Sequence, residues 1–208
     1  MLTFVNKMET IRKPAQRILL LLFKDILVTH TATSVANSLG MSRWGAWKIL
    51  KKLASDELII LKPVGIGKTS SQQILLNWDN LILEKTLSLL LTEESIGQRR
   101  WIANFSDLKN QVEFLVLFGS ILHSPKEAND IDILGVTTKK TIGKINDLVL
   151  KIQETQAKKI HSINFTEDEL IKELKKPNKA FIDAVKRGVI LFGQEKFIKF
   201  IRRLKAWK

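Results

Sequence analysis

Two aspartates one residue apart, Asp130 and Asp132, are the side chains in this sequence best spaced for chemistry. If Asn129-Asp-Ile-Asp-Ile-Leu-Gly-Val136 is a strand, residues two apart share a face, so both carboxylates point to one spot while Ile131 and Ile133 point away. Like charges that close raise each other's pKa. A hard divalent cation with a preference for oxygen, Mg²⁺ above all, removes that cost. Upstream stands Gly119-Ser120. Glycine lets backbone approach a phosphate closely, and a serine at the start of a helix adds a hydroxyl and an N–H where anions are favoured. Together these parts suit a metal-bound nucleoside triphosphate.

The elements that must position these residues are legible around them. Val112-Glu-Phe-Leu-Val-Leu-Phe118 reads as a buried strand ending at Gly119-Ser120, and 129–136 as a second strand. Beyond the next helix, Lys159-Ile-His-Ser-Ile-Asn-Phe165 reads as a third strand with Ser162 and Asn164 on one face and no acid. Glu167 and Asp168 are expected to cap a helix from Glu169 to Leu174. His123, Lys126, Lys139 and Lys140 are candidates to touch phosphate but stay outside the core site, a lone exposed histidine being more often incidental. The run Lys196 to Lys208 carries six basic residues on an amphipathic pattern (Phe197, Ile198, Phe200, Ile201, Leu204) that packs on the domain and extends a basic surface.

The first eighty residues follow a different pattern. Pro14 suits a first helical turn, and Ile18, Leu19, Leu22, Phe23 and Ile26 recur at helical spacing after it. Thr33 or Ser34 caps a short second helix that Gly40 stops, and Ser42 caps a third running to about Ser55. On that third helix Ala46, Ile49, Leu50 and Leu53 make an apolar stripe, with Trp44, Lys48 and Lys51 opposite and Arg43 and Trp47 on the flanks. Two β-rich runs, Leu58 to Lys62 and Gln72 to Leu76, enclose a Gly-rich loop containing Lys68. Within that loop Gly65-Ile-Gly67-Lys68-Thr69 looks like the end of a P-loop. The motif is rejected because Lys62 stands where its first glycine belongs and no helix follows. Residues 79–104 are helical in pattern and bridge the two regions.

Three helices, a glycine turn before the third and a terminal hairpin resemble the winged-helix DNA-binding family over residues 14–78. That resemblance implies that helix 42–55 enters the major groove while the hairpin touches backbone or minor groove. Ser42, Arg43, Trp44, Lys48, Lys51 and Lys68 are the expected contacts to double-stranded DNA. Strand, Gly-Ser, nine residues and Asp-x-Asp in a strand are in turn similar to the DNA polymerase β-type nucleotidyltransferase superfamily. The likeness is closest to its minimal prokaryotic members, found beside HEPN partners in toxin–antitoxin pairs. It covers roughly residues 105–195 and implies that Asp130 and Asp132 hold one or two Mg²⁺ ions while Gly119 and Ser120 grip the triphosphate. The family's third carboxylate belongs on strand 159–165, which has none.

The expected fold is therefore α+β: a winged helix-turn-helix domain over 1–80, a linker helix over 81–104, and a polymerase β-like nucleotidyltransferase domain over 105–208 with a mixed sheet flanked by helices. The expected function is DNA binding combined with Mg²⁺-dependent binding, and transfer to an unknown acceptor, of a nucleotide. The alternative is a transcriptional regulator whose degenerate nucleotidyltransferase domain only binds nucleotide or a protein partner. A third reading is an antitoxin with a small helical HEPN-type partner, and a homodimer is compatible with each.

Composition agrees with these classes. At 208 residues, 45% apolar and 26% charged, the chain can bury a sizeable core in one or two domains. Its formal charge of +13 favours a polyanionic partner. Residues 1–80 hold 11 basic and 5 acidic residues against 23 and 16 in the remainder, so both halves are basic. No cysteine is present, which excludes disulfides, thiolate metal sites and a cysteine nucleophile. His30, His123 and His161 are far apart in sequence and lack paired-ligand spacing, so no zinc site is expected. The most apolar run, Ile18 to Val28, is interrupted by Lys24 and Asp25 and too short to span a bilayer, and Met1 to Arg17 lacks signal-peptide order. A soluble, cytoplasmic chain without a membrane partner is expected.

Overall fold

The computed structural model describes residues 14–64, 71–176 and 179–206. The chain is α+β and divides into two compact units, Met1–Leu90 and Leu91–Lys208, each with buried apolar residues of its own.

In the first unit, α1 (Pro14–Lys24) opens on proline, whose missing N–H costs nothing in a first turn. It buries Ile18, Leu19, Leu22 and Phe23, the stripe its spacing predicts. Helix α2 (Ala32–Leu39) is capped by Thr31, not by Thr33 or Ser34. The Thr31 hydroxyl accepts from the Ser34 N–H (3.3 Å), and Ser34 Oγ accepts from the Thr31 N–H (2.8 Å). This reciprocal pair satisfies two otherwise orphan donors, so the helix starts earlier than expected. Gly40, at φ 63°, ends it in the left-handed region. Helix α3 (Arg43–Ser55) is capped by Ser42, whose Oγ accepts from the Gly45 N–H at 3.0 Å, and it buries Ala46, Leu50 and Leu53.

Strands β1 (Ile59–Val64) and β2 (Ser71–Leu76) pair antiparallel from Ile59↔Leu76 to Val64↔Ser71. The loop between them, with Lys68 and the P-loop-like Gly65–Thr69 run, lies outside the described residues. His30 is buried, with Nδ1 3.2 Å from Ser34 Oγ and Nε2 3.5 Å from Asp25, and it belongs to this unit's interior.

The expected continuous helix over 79–104 is two helices, α4 (Leu81–Ile96) and α5 (Arg99–Asn104). Gly97 and Gln98 separate them, Gln98 having the non-helical angles φ −108°, ψ 36°. Glycine there lowers the cost of leaving the helix.

The second unit contains β3 (Phe114–Phe118), β4 (Asp130–Val136), α6 (Ile142–Gln153), β5 (Lys159–Phe165), α7 (Glu167–Lys175), α8 (Lys179–Arg187), β6 (Val189–Phe192) and α9 (Gln194–Ala206). The sheet order is β5-β4-β3-β6; β4 and β5 are parallel, the other neighbours antiparallel. A parallel pair needs a long crossover, which α6 supplies. On one face Leu115, Leu117, Ile131, Ile133 and Ile160 meet Trp101 and Phe105 together with Ile145, Val149 and Ile152 of α6. On the other, Phe114 packs against Phe197 and Phe200 of α9, with ring centroids 5.2 and 5.3 Å apart. Both faces are covered, which is why β3 reads as an unbroken apolar run.

Candidate metal centre

Antiparallel register places Asp132 opposite Phe118, the last residue of β3, so Gly119 emerges directly beside the aspartate. Its backbone is at φ 82°, ψ −166°, and a Cβ built there would collide with the Asp132 carboxylate. Only glycine satisfies both conditions. Ser120 is exposed and begins a helix, as its place after Gly119 suggests, but that helix is a single 3-10 turn, Ser120–Leu122. The turn closes through His123 N–H to Ser120 O (3.0 Å) and Ser124 N–H to Ser120 O (2.8 Å). So short a turn carries little dipole, and any phosphate held here relies on local N–H and hydroxyl donors.

The parallel register of β4 and β5 pairs Asp130 with Lys159 and Asp132 with His161. Alternation then puts Lys159, His161 and Ile163 on the face shared with the aspartates, and Ser162 and Asn164 on the opposite one. Asn164 Nδ2 there donates to Ser162 Oγ (3.0 Å) and to Asn146 Oδ1 of α6 (3.4 Å). Strand 159–165 lies where expected, with Ser162 and Asn164 sharing one face and no acid, and the residue that meets the aspartates from its other face is His161. Its Nδ1 is 3.2 Å from Asp130 Oδ2 and 3.5 Å from Asp132 Oδ1. One donor atom from each of the three residues falls within 4.8 Å of the others, a set able to hold a metal ion. Exposures of 32% for Asp130, 24% for Asp132 and 44% for His161 leave the cluster open to a ligand from solvent.

Burial pushes the Asp132 carboxyl above the ordinary carboxylate range, and the neighbouring Asp130 charge adds to the rise, while His161 pulls it down. An ionised pair here is therefore under-compensated by the protein alone, the condition that a cation relieves. Lys158 Nζ donates to the carbonyl of Ala128, and to that of Lys126 at 3.4 Å, tying the segment between Gly119 and Asp130 to the start of β5. His123, Lys126, Lys139 and Lys140 are exposed.

Dismissing the histidines on sequence spacing missed His161, because such rules see only ligands close in the chain. The strand read as 129–136, aligned start to start with 159–165, would put Ser162 beside Asp132; the observed starts at Asp130 and Lys159 are what pair Asp132 with His161. Glu167 and Asp168 do not cap the following helix. Thr166 does, with Glu169 as its reciprocal partner, and the two acids lie in the first turn. A groove lined by Ile142, Asn164, Phe165, Glu169 and Lys172 involves none of the cluster residues.

In the first unit Arg43, Trp44, Lys48 and Lys51 are exposed on α3, Trp44 at 73%. Lys48 Nζ lies 5.6 Å from the Trp44 ring and Lys51 Nζ 5.5 Å from the Trp47 ring. Ser42 Oγ is engaged in capping.

No protein-family model, curated protein or solved structure matches the chain. Fold and site together define an α+β protein with N-terminal helices and a C-terminal mixed sheet bearing a carboxylate–histidine cluster.

Proposed function

We propose that Leu91–Lys208 is a polymerase β-type nucleotidyltransferase domain that binds a nucleoside triphosphate with a divalent cation and transfers a nucleotide to an acceptor hydroxyl. The first unit, on this reading, is a winged helix that binds double-stranded DNA. The observation that carries the first part is the convergence of Asp130, Asp132 and His161 beside Gly119, whose missing side chain lets the Asp132 carboxylate lie against its backbone.

Asp130 and Asp132 hold the cation, Mg²⁺ by the preference of carboxylates, and Ser120 donates its hydroxyl to a phosphate oxygen. The acceptor oxygen bonds to the α-phosphorus as the bond from that phosphorus to the bridging oxygen breaks, pyrophosphate departs, and the hydroxyl proton passes to solvent. When bound, the cation polarises the phosphoryl group and takes up charge on the leaving pyrophosphate. The chain supplies position and charge, with no covalent intermediate.

The DNA reading is supported by the basic, aromatic face of α3 and by the hairpin that follows it. Phosphate contacts from Arg43, Lys48 and Lys51 set affinity and salt dependence.

A second reading is favoured by the acid-free β5. Without a third carboxylate to activate the acceptor, the domain is a nucleotide- or partner-binding regulator, and its partner in that case is a small helical protein of the HEPN kind. One experiment separates the two. The protein is incubated with each labelled triphosphate, a divalent cation and DNA, RNA or protein acceptors, beside an Asp130→Ala/Asp132→Ala variant. Label transfer that disappears in the variant establishes the transferase; no transfer, with duplex binding intact, establishes the regulator.

A further inference from the structure

We infer that His161 is itself a metal ligand and that it turns the centre from Mg²⁺ towards a later first-row transition ion such as Co²⁺. The inference rests on the reading of Asp130 and Asp132 as cation ligands and decides which cation they share.

The imidazole is delivered by strand register and not by a loop, since His161 is the β5 partner of Asp132. The nitrogen turned inward is Nδ1, facing an oxygen from each carboxylate at 3.2 and 3.5 Å. A single N–H serves one acceptor well at a time. A cation, by contrast, is served by all three lone-pair donors at once. Two ligands about 2.2 Å from a shared ion in neighbouring octahedral positions are roughly 3.1 Å apart. The two separations from His161 already approach that value, and the donor atoms of all three residues lie within 4.8 Å of one another, so the side chains can close on one ion.

Donor chemistry then sets the preference. Mg²⁺ takes oxygen and gives up water reluctantly, whereas imidazole suits the later divalent ions of the first transition row. A neutral imidazole in place of a third carboxylate also leaves one negative charge fewer, which weakens the attraction on which Mg²⁺ depends. The same exchange retains a strong donor for ions that accept nitrogen. The result is a two-carboxylate, one-imidazole centre in which the strand that lacks an acid still contributes a ligand.

The test is direct cation binding to the full chain without nucleotide, using Mg²⁺ and Co²⁺ by calorimetry and Co²⁺ also by its visible absorption. Wild type is compared with His161→Asp, His161→Gln and Asp130→Asn/Asp132→Asn. Wild type is expected to bind Co²⁺ more tightly than Mg²⁺, and His161→Asp to lower that preference by roughly tenfold or more. His161→Gln weakens Co²⁺ while changing Mg²⁺ little. Mn²⁺ bound to wild type provides a readout that needs no variant to fold: pulsed electron paramagnetic resonance should detect a coordinated imidazole nitrogen. An unchanged Co²⁺-to-Mg²⁺ ratio in both His161 variants, or no nitrogen coupling, with binding still lost in the double aspartate variant, overturns the role of His161 alone. Failure of wild type to bind any divalent cation overturns the aspartate reading as well.

Discussion

At the scale of single residues, Gly119 and Asp132 constrain each other. Gly119→Ala places a methyl group against the Asp132 carboxylate and forces alanine to φ 82°. The expected loss is ~1–3 kcal/mol of stability in urea unfolding, together with loss of cation binding. Ser120→Ala, at an exposed position, should leave stability within ~0.5 kcal/mol and weaken nucleotide binding only. Asp132 yields a pH prediction of definite sign. Its folded-state pKa is raised, first by burial and then by Asp130, so the folded protein holds this proton more tightly than the unfolded chain. The metal-free protein therefore loses stability at this residue as pH rises from the ordinary carboxylate range through the raised value. In chelator at neutral pH, Asp132→Asn should melt above wild type, and the advantage should fade as pH falls below the ordinary aspartate range. With a divalent cation in excess the order should reverse, because wild type gains the ligand's binding energy and the variant does not. A lower melting temperature for the variant in chelator would contradict the assignment of Asp132 as an under-compensated charge.

At the scale of elements, the centre depends on where β5 begins and ends, and the far end is secured by α7. Thr166 accepts from the Glu169 N–H at 3.4 Å, while Glu169 Oε2 accepts from the Thr166 N–H at 2.8 Å. Thr166→Ala should cost ~1 kcal/mol in global unfolding, with the earliest loss of amide-exchange protection in α7. The hydrogen bonds from Thr166, backbone first and side chain second, hold the Glu169 carboxyl below its ordinary value. Its contribution is thus complete above the ordinary glutamate pKa and is lost as pH falls through the lowered one. Amide exchange in α7 followed through that acidic window checks the sign, and Glu169→Gln should flatten the dependence.

At the scale of the whole molecule, a formal charge of +13 on two basic halves suits polyanionic ligands in both units. Among the described residues no helix is long and apolar enough to cross a membrane. The two proposed activities should separate by mutation. Arg43→Ala/Lys48→Ala/Lys51→Ala should weaken duplex binding and flatten its salt dependence by roughly 0.9 in logarithmic slope per phosphate contact removed, while leaving cation binding unchanged. Asp130→Ala/Asp132→Ala should do the converse. Fluorescence anisotropy at several salt concentrations measures the first and calorimetry the second. An unchanged slope in the triple variant would remove α3 as a DNA-contacting element.

Much of the organisation was determined by local sequence. The stripes of α1 and α3, the Gly40 stop, the strands around Phe118 and Asp130, and strand 159–165 all follow from periodicity and backbone preference, which act within a few residues. The sharing of a face by Asp130 and Asp132 needed nothing more, since alternation is a property of one strand. Tertiary structure decided what depends on register between strands distant in the chain. The approach of Gly119 to Asp132 is set by β3–β4 pairing, and the meeting of His161 with both aspartates by β4–β5 pairing. A one-residue slip of β5 would have brought Ser162 to the site instead. Only the packed sheet, by burying Ile160 against α6 and so turning His161 the other way, selects which of the two residues faces the carboxylates.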